Sequence, residues 1–104
     1  MDKKITINQL QHYISGINHK NNDIESMFYK LIEEVGELSQ SIRKNERMGS
    51  EKIIKNTVEE ELYDVMYYII RIANEMNIDL EECVLLKEEL NSKKYKRKSF
   101  FDSN

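Results

Sequence analysis

The chain has no proline and no tryptophan, only three glycines and a single cysteine. With no proline, and glycine confined to Gly16, Gly36 and Gly49, little punctuates strands or hairpins, and the composition is that of a helical protein. Cys83 has no partner for an intrachain disulfide, which fits a reducing, cytoplasmic setting. No apolar run approaches the roughly 20 residues that span a bilayer. The N-terminus lacks the apolar stretch of a secretory signal. An excess of positive charge is missing as well: the net charge is −3. That balance argues against general nucleic-acid binding. The local run Lys93-Lys94-Tyr95-Lys96-Arg97-Lys98 is the exception, and binding through it would show strongly salt-dependent affinity.

What is present is charge, at 34% of residues, interleaved with apolar positions along 104 residues. The length is that of one domain, 1–104, with a helical core over about residues 6–97 and a flexible tail over 98–104. Thr6 and Gln9 form a capping box opening a first helix to about Asn18, with His12 and His19 on it. Asn21-Asn22-Asp23 breaks the chain and caps a second helix from Ile24 to about Asn45. Gly36 in its middle costs about 1 kcal/mol relative to alanine, which predicts close approach of a neighbouring helix or a ligand. Arg47-Met48-Gly49-Ser50 reads as a turn and Glu51 to Lys55 as a short helical segment. A capping box at Thr57-Val58-Glu59-Glu60 starts a third helix to Met76, and Asn77 suits a left-handed stop. Asp79 and Glu82 form another box, opening a fourth helix to about Lys94.

Two carboxylate pairs stand out. Glu34 and Glu37 lie three apart on the second helix, as do Glu61 and Asp64 on the third. Residues at that spacing are neighbours on a helix surface. At about 100° per residue, Glu34 and Glu37 share a stripe with Met27, Leu31 and Leu38. Glu61 and Asp64 share one with Val65, Tyr68 and Ile72. One such pair is close to chance in a chain with 19 acidic residues. Two on core-facing stripes are not, because buried carboxylates are costly without positive charge. No matching Lys or Arg is expected on those stripes, so a metal ion is. Mg²⁺ prefers oxygen ligands and keeps several waters, leaving room for a phosphate substrate.

The third helix is apolar on nearly all sides, with only Glu60, Arg71, Asn74 and Glu75 forming a polar strip. Such a helix is buried on nearly all sides. A domain this small cannot surround it, so third helices are expected to pack across a homodimer.

Glu33-Glu34-x-x-Glu37, then Glu61-x-x-Asp64, resembles the E-E-x-x-E…E-x-x-D motif of MazG-type all-α nucleotide pyrophosphohydrolases. Lys30 to Leu38 is similar to that family's second helix, Glu60 to Tyr68 to its third, and Ala73 to Glu81 to its turn into the last helix. The resemblance spans roughly Ile24 to Arg97. It implies an all-α, four-helix MazG-like bundle working as a dimer or dimer of dimers. It implies Mg²⁺-dependent hydrolysis of a nucleoside triphosphate to monophosphate and pyrophosphate, with Mn²⁺ as a possible substitute. By this resemblance Glu34, Glu37, Glu61 and Asp64 are metal ligands, and Glu33 holds or deprotonates the attacking water. The related phosphoribosyl-ATP hydrolases share the acid pattern and are the alternative.

Four further residues are candidates for substrate contact. Tyr68, one turn after Asp64, is placed to stack on a base or bond the sugar. Lys30, one turn before Glu34, is placed for a phosphate. Lys94 and Arg97 are placed for triphosphate oxygens, including across a dimer interface; as a solvated helix end they would instead serve the C-terminal dipole. The alternative of a different class is a non-catalytic helical dimerisation module that merely binds a divalent ion or a partner; on that reading Glu37→Gln or Glu61→Gln leaves function intact and raises stability by relieving acid repulsion.

Overall fold

The computed structural model describes residues 3–98, all of whose regular structure is helical. The expected fraying of the tail from Ser99 lies outside those residues. The elements are α1 (Ile7–Ser15), α2 (Ile24–Arg43), α3 (Val58–Glu75) and α4 (Leu80–Lys94).

Local chemistry sets the starts. Thr6 accepts from the Gln9 N–H at 3.0 Å, and the Gln9 side chain accepts from the Thr6 N–H at 2.8 Å. Asp23 caps α2 by accepting from the Ser26 N–H, and Asp79 caps α4 by accepting from the Glu81 and Glu82 N–H groups; the expected return bond from the Glu82 side chain to Asp79 does not form. At α3, too, half the expected box forms. Thr57 accepts from Glu60 N–H, but the Glu60 carboxylate takes the Asn56 N–H instead.

The ends of α2, α3 and α4 are set by left-handed residues, and none of these is glycine. After α2, α3 and α4 come Asn45, Asn77 and Lys96 at φ of 55°, 55° and 53°. In each case the next residue donates back to the third-last carbonyl: Glu46 to Ser41, Ile78 to Ala73, Arg97 to Ser92. This is the Schellman closure.

α1 is shorter than expected, which leaves His19 in the linker rather than on the helix. The segment Glu51 to Lys55 is not helical, and the tight turn falls at Gly49 to Lys52. The loop is held instead by acids of α3's first turn. Glu59 accepts from Arg47 Nε and Met48 N–H, and Val58 N–H donates to Glu46 at 2.6 Å. These bonds form only once the loop folds back, so local periodicity does not report them.

α2 and α3 form the most extensive helix pair. They run antiparallel: late α2 residues Glu37 and Lys44 share a cavity with Glu61, and early Lys30 shares one with Arg71. α1 packs on α3 and α4, fixed by a buried amide. Gln11 donates to Asn74 Oδ1 and the Ile78 carbonyl, and accepts from Leu80 N–H. Among the described residues the buried apolar core is Ile14, Met27, Ile70 and Ala73. The α3 members of this core lie in its C-terminal half; the acids lie in its N-terminal half. No helix of the described residues is long and apolar enough to cross a membrane.

Candidate metal centre and active site

The Thr57 cap starts α3 just before its acids, and antiparallel packing carries them to the middle of α2. There Glu34, Glu61 and Asp64 bring one carboxylate oxygen each within 4.8 Å of one another. All three are half-buried. With both carboxylates ionised, Glu34 Oε1 and Glu61 Oε1 are buried with no hydrogen-bond partner; only a proton on Glu61 would let one donate to the other. An orphaned buried acceptor costs about 1–3 kcal/mol, and more when charged.

The electrostatics show the same crowding. Burial, then the charges of Glu37, Asp64 and Glu34, push the Glu61 carboxyl up to about 7. Burial, then Glu37 and Asp64, raise Glu34. Burial, then Glu60 and Glu37, raise Asp64. A divalent cation reverses all three effects, since it supplies opposite charge and a partner for the orphaned oxygens. An all-carboxylate donor set suits a hard cation such as Mg²⁺ or Mn²⁺. The residues present therefore fit a bound divalent ion.

Glu37 differs from expectation: it is exposed, and the close trio does not include it. It sits one turn beyond Glu34 and faces a cavity of about 240 Å³ shared with Glu61. Glu33 is also exposed and pairs with Lys30 at 3.5 Å. Both border a second cavity, of about 430 Å³, together with Tyr68, Tyr29, His19 and Arg71. Three residues expected from sequence, Lys30, Glu33 and Tyr68, thus meet in one place. Lys94 and Arg97 do not join them within the chain. Lys94 Nζ lies 5.3 Å from the centre of the Tyr95 ring, and Arg97 bridges to Glu88 at 2.8 Å.

The acid stripes are not free of cations, contrary to expectation. Lys44 lies seven residues after Glu37, and Arg71 seven after Asp64. Seven residues return nearly to the same helix face. That spacing was the available signal, and the structure places Lys44 and Arg71 in the two cavities flanking the acids. Asn56 and His19 had no such signal. Asn56 reaches the smaller cavity because Glu60 anchors its N–H. His19 stands 2.6 Å from the Tyr67 hydroxyl, and burial, then the Arg71 charge, hold it below its usual pKa. Close packing expected at Gly36 is also missing: a Cβ there would meet nothing within 4 Å.

Comparison with known proteins agrees with this geometry. The profile of the MazG nucleotide pyrophosphohydrolase domain matches residues 22–99. Two crystal structures of iMazG from Vibrio DAT 722 are similar to this chain. The N-terminally tagged form is 43% identical, covering 89% of this chain and 100% of that one, with a TM-score of 0.75. The C-terminally tagged form is 42% identical, covering 85% and 99%, with a TM-score of 0.74. No curated protein sequence matches the chain. With the four helices of its described residues, its carboxylate cluster and these matches, the chain belongs to the MazG nucleotide pyrophosphohydrolase family.

Proposed function

We propose that the protein hydrolyses a nucleoside triphosphate to the monophosphate and pyrophosphate, with Mg²⁺ as cofactor and Mn²⁺ as a substitute. The observation that carries this reading is the pair of buried, unpartnered oxygens on facing helices, Glu34 Oε1 and Glu61 Oε1. Glu34, Glu61 and Asp64 hold the ion, and Glu37 completes the set from the cavity wall. When bound, the ion neutralises phosphate charge, polarises a phosphoryl oxygen and lowers the pKa of a water. The chain's own groups do the rest. Glu33, beside the larger cavity, takes the proton of the attacking water. Lys30 offsets phosphate charge, and Tyr68 meets the base or sugar. As the water oxygen bonds to phosphorus, the phosphoanhydride bond breaks and its electron pair leaves with pyrophosphate.

The same reading includes a homodimer or homotetramer in a reducing cytoplasm, where the exposed Cys83 thiol stays reduced. Its support is the thin core. The radius of gyration is 16.4 Å, against about 13 Å for a compact domain of this size. α3 leaves Leu62, Met66 and Ile69 exposed, and α4 leaves Leu86 and Leu90 exposed. Lys94 and Arg97, outside both cavities of their own chain, serve the triphosphate from a neighbouring copy.

The test is a pyrophosphate-release screen over canonical and modified nucleoside triphosphates and phosphoribosyl-ATP, with Mg²⁺ and with chelator. Release from a nucleoside triphosphate, dependent on Mg²⁺ and lost in folded Asp64→Asn, is expected. Preference for phosphoribosyl-ATP would reassign the substrate. No release from any of them would end the reading.

A further inference from the structure

The acids of α3 lie in the half of that helix that buries no apolar residue. Its buried members, Ile70 and Ala73, are in the C-terminal half, where Asn74 also exchanges hydrogen bonds with Gln11. In the N-terminal half Leu62, Tyr63 and Met66 are exposed. Apolar packing therefore does little to fix how the first turns of α3 are rotated about the helix axis. That rotation matters. A side-chain tip stands about 5–6 Å from a helix axis, so a turn of about 20° carries it about 2 Å. Metal–ligand distances vary by only about 0.2 Å.

A polar clamp supplies the constraint. Glu59 spends both carboxylate oxygens on the loop that leaves α2. Its Oε2 meets Arg47 Nε and Nη2, both at 2.8 Å, and its Oε1 accepts from the Met48 N–H at 2.9 Å. Beside it, Glu60 accepts from the Asn56 N–H, and the Val58 N–H donates to the Glu46 carbonyl. Residues two apart on a helix differ by about 200°. Glu59 is thus gripped on one side of α3, while Glu61 meets Glu34 on the other. The Arg47 side chain is exposed, and pairs of that kind add little to stability. What the planar guanidinium adds is orientation, because two of its N–H groups reach the same carboxylate.

We propose that Arg47 is a positioning residue for the metal centre, acting through Glu59. Their contact sets the rotation of the first turn of α3 and so keeps Glu61 and Asp64 within reach of Glu34. This rests on the metal-dependent reading above and adds a residue outside both cavities beside the acids. The clamp works against charge. The carboxylates of the trio repel one another until a cation joins them, and a loose first turn would relieve that repulsion by rotating away. Truncating Arg47 separates three roles by sign. Lost positioning weakens cation binding. Lost repulsion between guanidinium and cation would tighten it. A merely structural loss would lower the melting temperature and leave cation affinity where it was. The Val58 and Met48 bonds survive the truncation, so the loop keeps its path.

The experiment measures Mn²⁺ binding to nucleotide-free protein, from the paramagnetic resonance signal of the free ion, beside melting temperature and the Mg²⁺ dependence of pyrophosphate release. The proteins are the wild type, Arg47→Ala, Arg47→Lys, Glu59→Gln and the double variant Arg47→Ala with Glu59→Gln. Arg47→Ala should weaken Mn²⁺ binding about tenfold, the lower end of what partners behind a metal's ligands cost. It should raise the Mg²⁺ needed for half-maximal release by a similar factor and lower the saturated rate far less. Arg47→Lys keeps the charge and one donor arm and should recover part of the affinity. The double variant should bind within about twofold of the weaker single variant, since both changes cut the same contact. Unchanged or tighter Mn²⁺ binding in Arg47→Ala would overturn the assignment, as would losses that multiply in the double variant. Should Arg47→Ala fail to fold, Arg47→Met, which keeps the stem, decides by the same criteria. Wild-type protein that binds no Mn²⁺ would end the metal reading itself, whereas one that binds it beside an unaffected Arg47→Ala loses only the positioning role.

Discussion

The α2 and α3 pair and helix α4 break the same rule in opposite directions. The pair takes carboxylates partly out of water and leaves two of their oxygens without a partner. α4 leaves Leu85, Leu86 and Leu90 in water, at 48%, 65% and 63% exposure. Half-buried acids cost stability unless cations meet them, and exposed leucines forgo stability unless apolar surface covers them. On the proposed reading a cation meets the acids of the first region, and a second copy covers the leucines of the other. A contrast within α3 makes the first point sharper. Glu59, two residues before Glu61, is met by Arg47 and the Met48 N–H, and its carboxyl falls to about 2. Glu61 has neither and rises to about 7.

The largest effect should come from removing a carboxylate of the trio. Glu61→Gln should lower pyrophosphate release by well over 100-fold, since even partners one shell outside a metal cost up to about 100-fold. It should also raise the melting temperature of the metal-free protein by relieving repulsion. A variant that loses activity by unfolding, seen as a lower melting temperature, would contradict this account of the trio.

Next comes the α4 surface. Leu86→Glu with Leu90→Glu would be nearly neutral on a surface that stays in water. If a second copy covers it, the pair should cost about 3 kcal/mol or more and shift sedimentation toward monomer. The shift toward monomer is the expected result.

The acid contrast can be read by pH. Glu61 has a folded pKa above its ordinary 4.5, so folding favours its protonated form. Its contribution is complete below pH 4.5 and lost as pH rises through 7. Metal-free protein should lose on the order of 2 kcal/mol across that window, and either Mg²⁺ or Glu61→Gln should remove the loss. Glu59 has the opposite sign: its contribution is present above 4.5 and disappears as pH falls toward 2. Glu59→Gln should flatten only this acid limb of a urea-melt series.

The smallest effect tests Gly36. With open space around it, Gly36→Ala should stabilise the chain by about 1 kcal/mol. A loss of stability at high protein concentration only would show that a second copy packs there.

Much of this was legible before any coordinates. Thr6, Asp23, Thr57 and Asp79 announce the helix starts, because a side-chain oxygen and an N–H three residues on need nothing else. Asn77 announces the end of α3 for a similar reason. The acids at three-residue spacing were legible as pairs. Other features depended on groups far apart in sequence. The loop after α2 is tied to α3 at both ends, where Glu59 accepts from the Met48 N–H and Glu60 from the Asn56 N–H. Glu37 lies outside the close trio and lines a cavity with Glu61, a placement set by how α2 and α3 align. Gln11 is buried because the turn from α3 to α4 supplies three partners for its side-chain amide.

Sequence alone determined that the chain is helical, where its helices begin, and that two of them carry paired acids. Those outcomes rest on contacts within one or two turns, whose geometry the local chain sets. Tertiary structure decided which acids meet, which oxygens lose their partners, and which lysine faces which cavity. Those outcomes depend on how α2 and α3 align, and packing across distant residues sets that alignment.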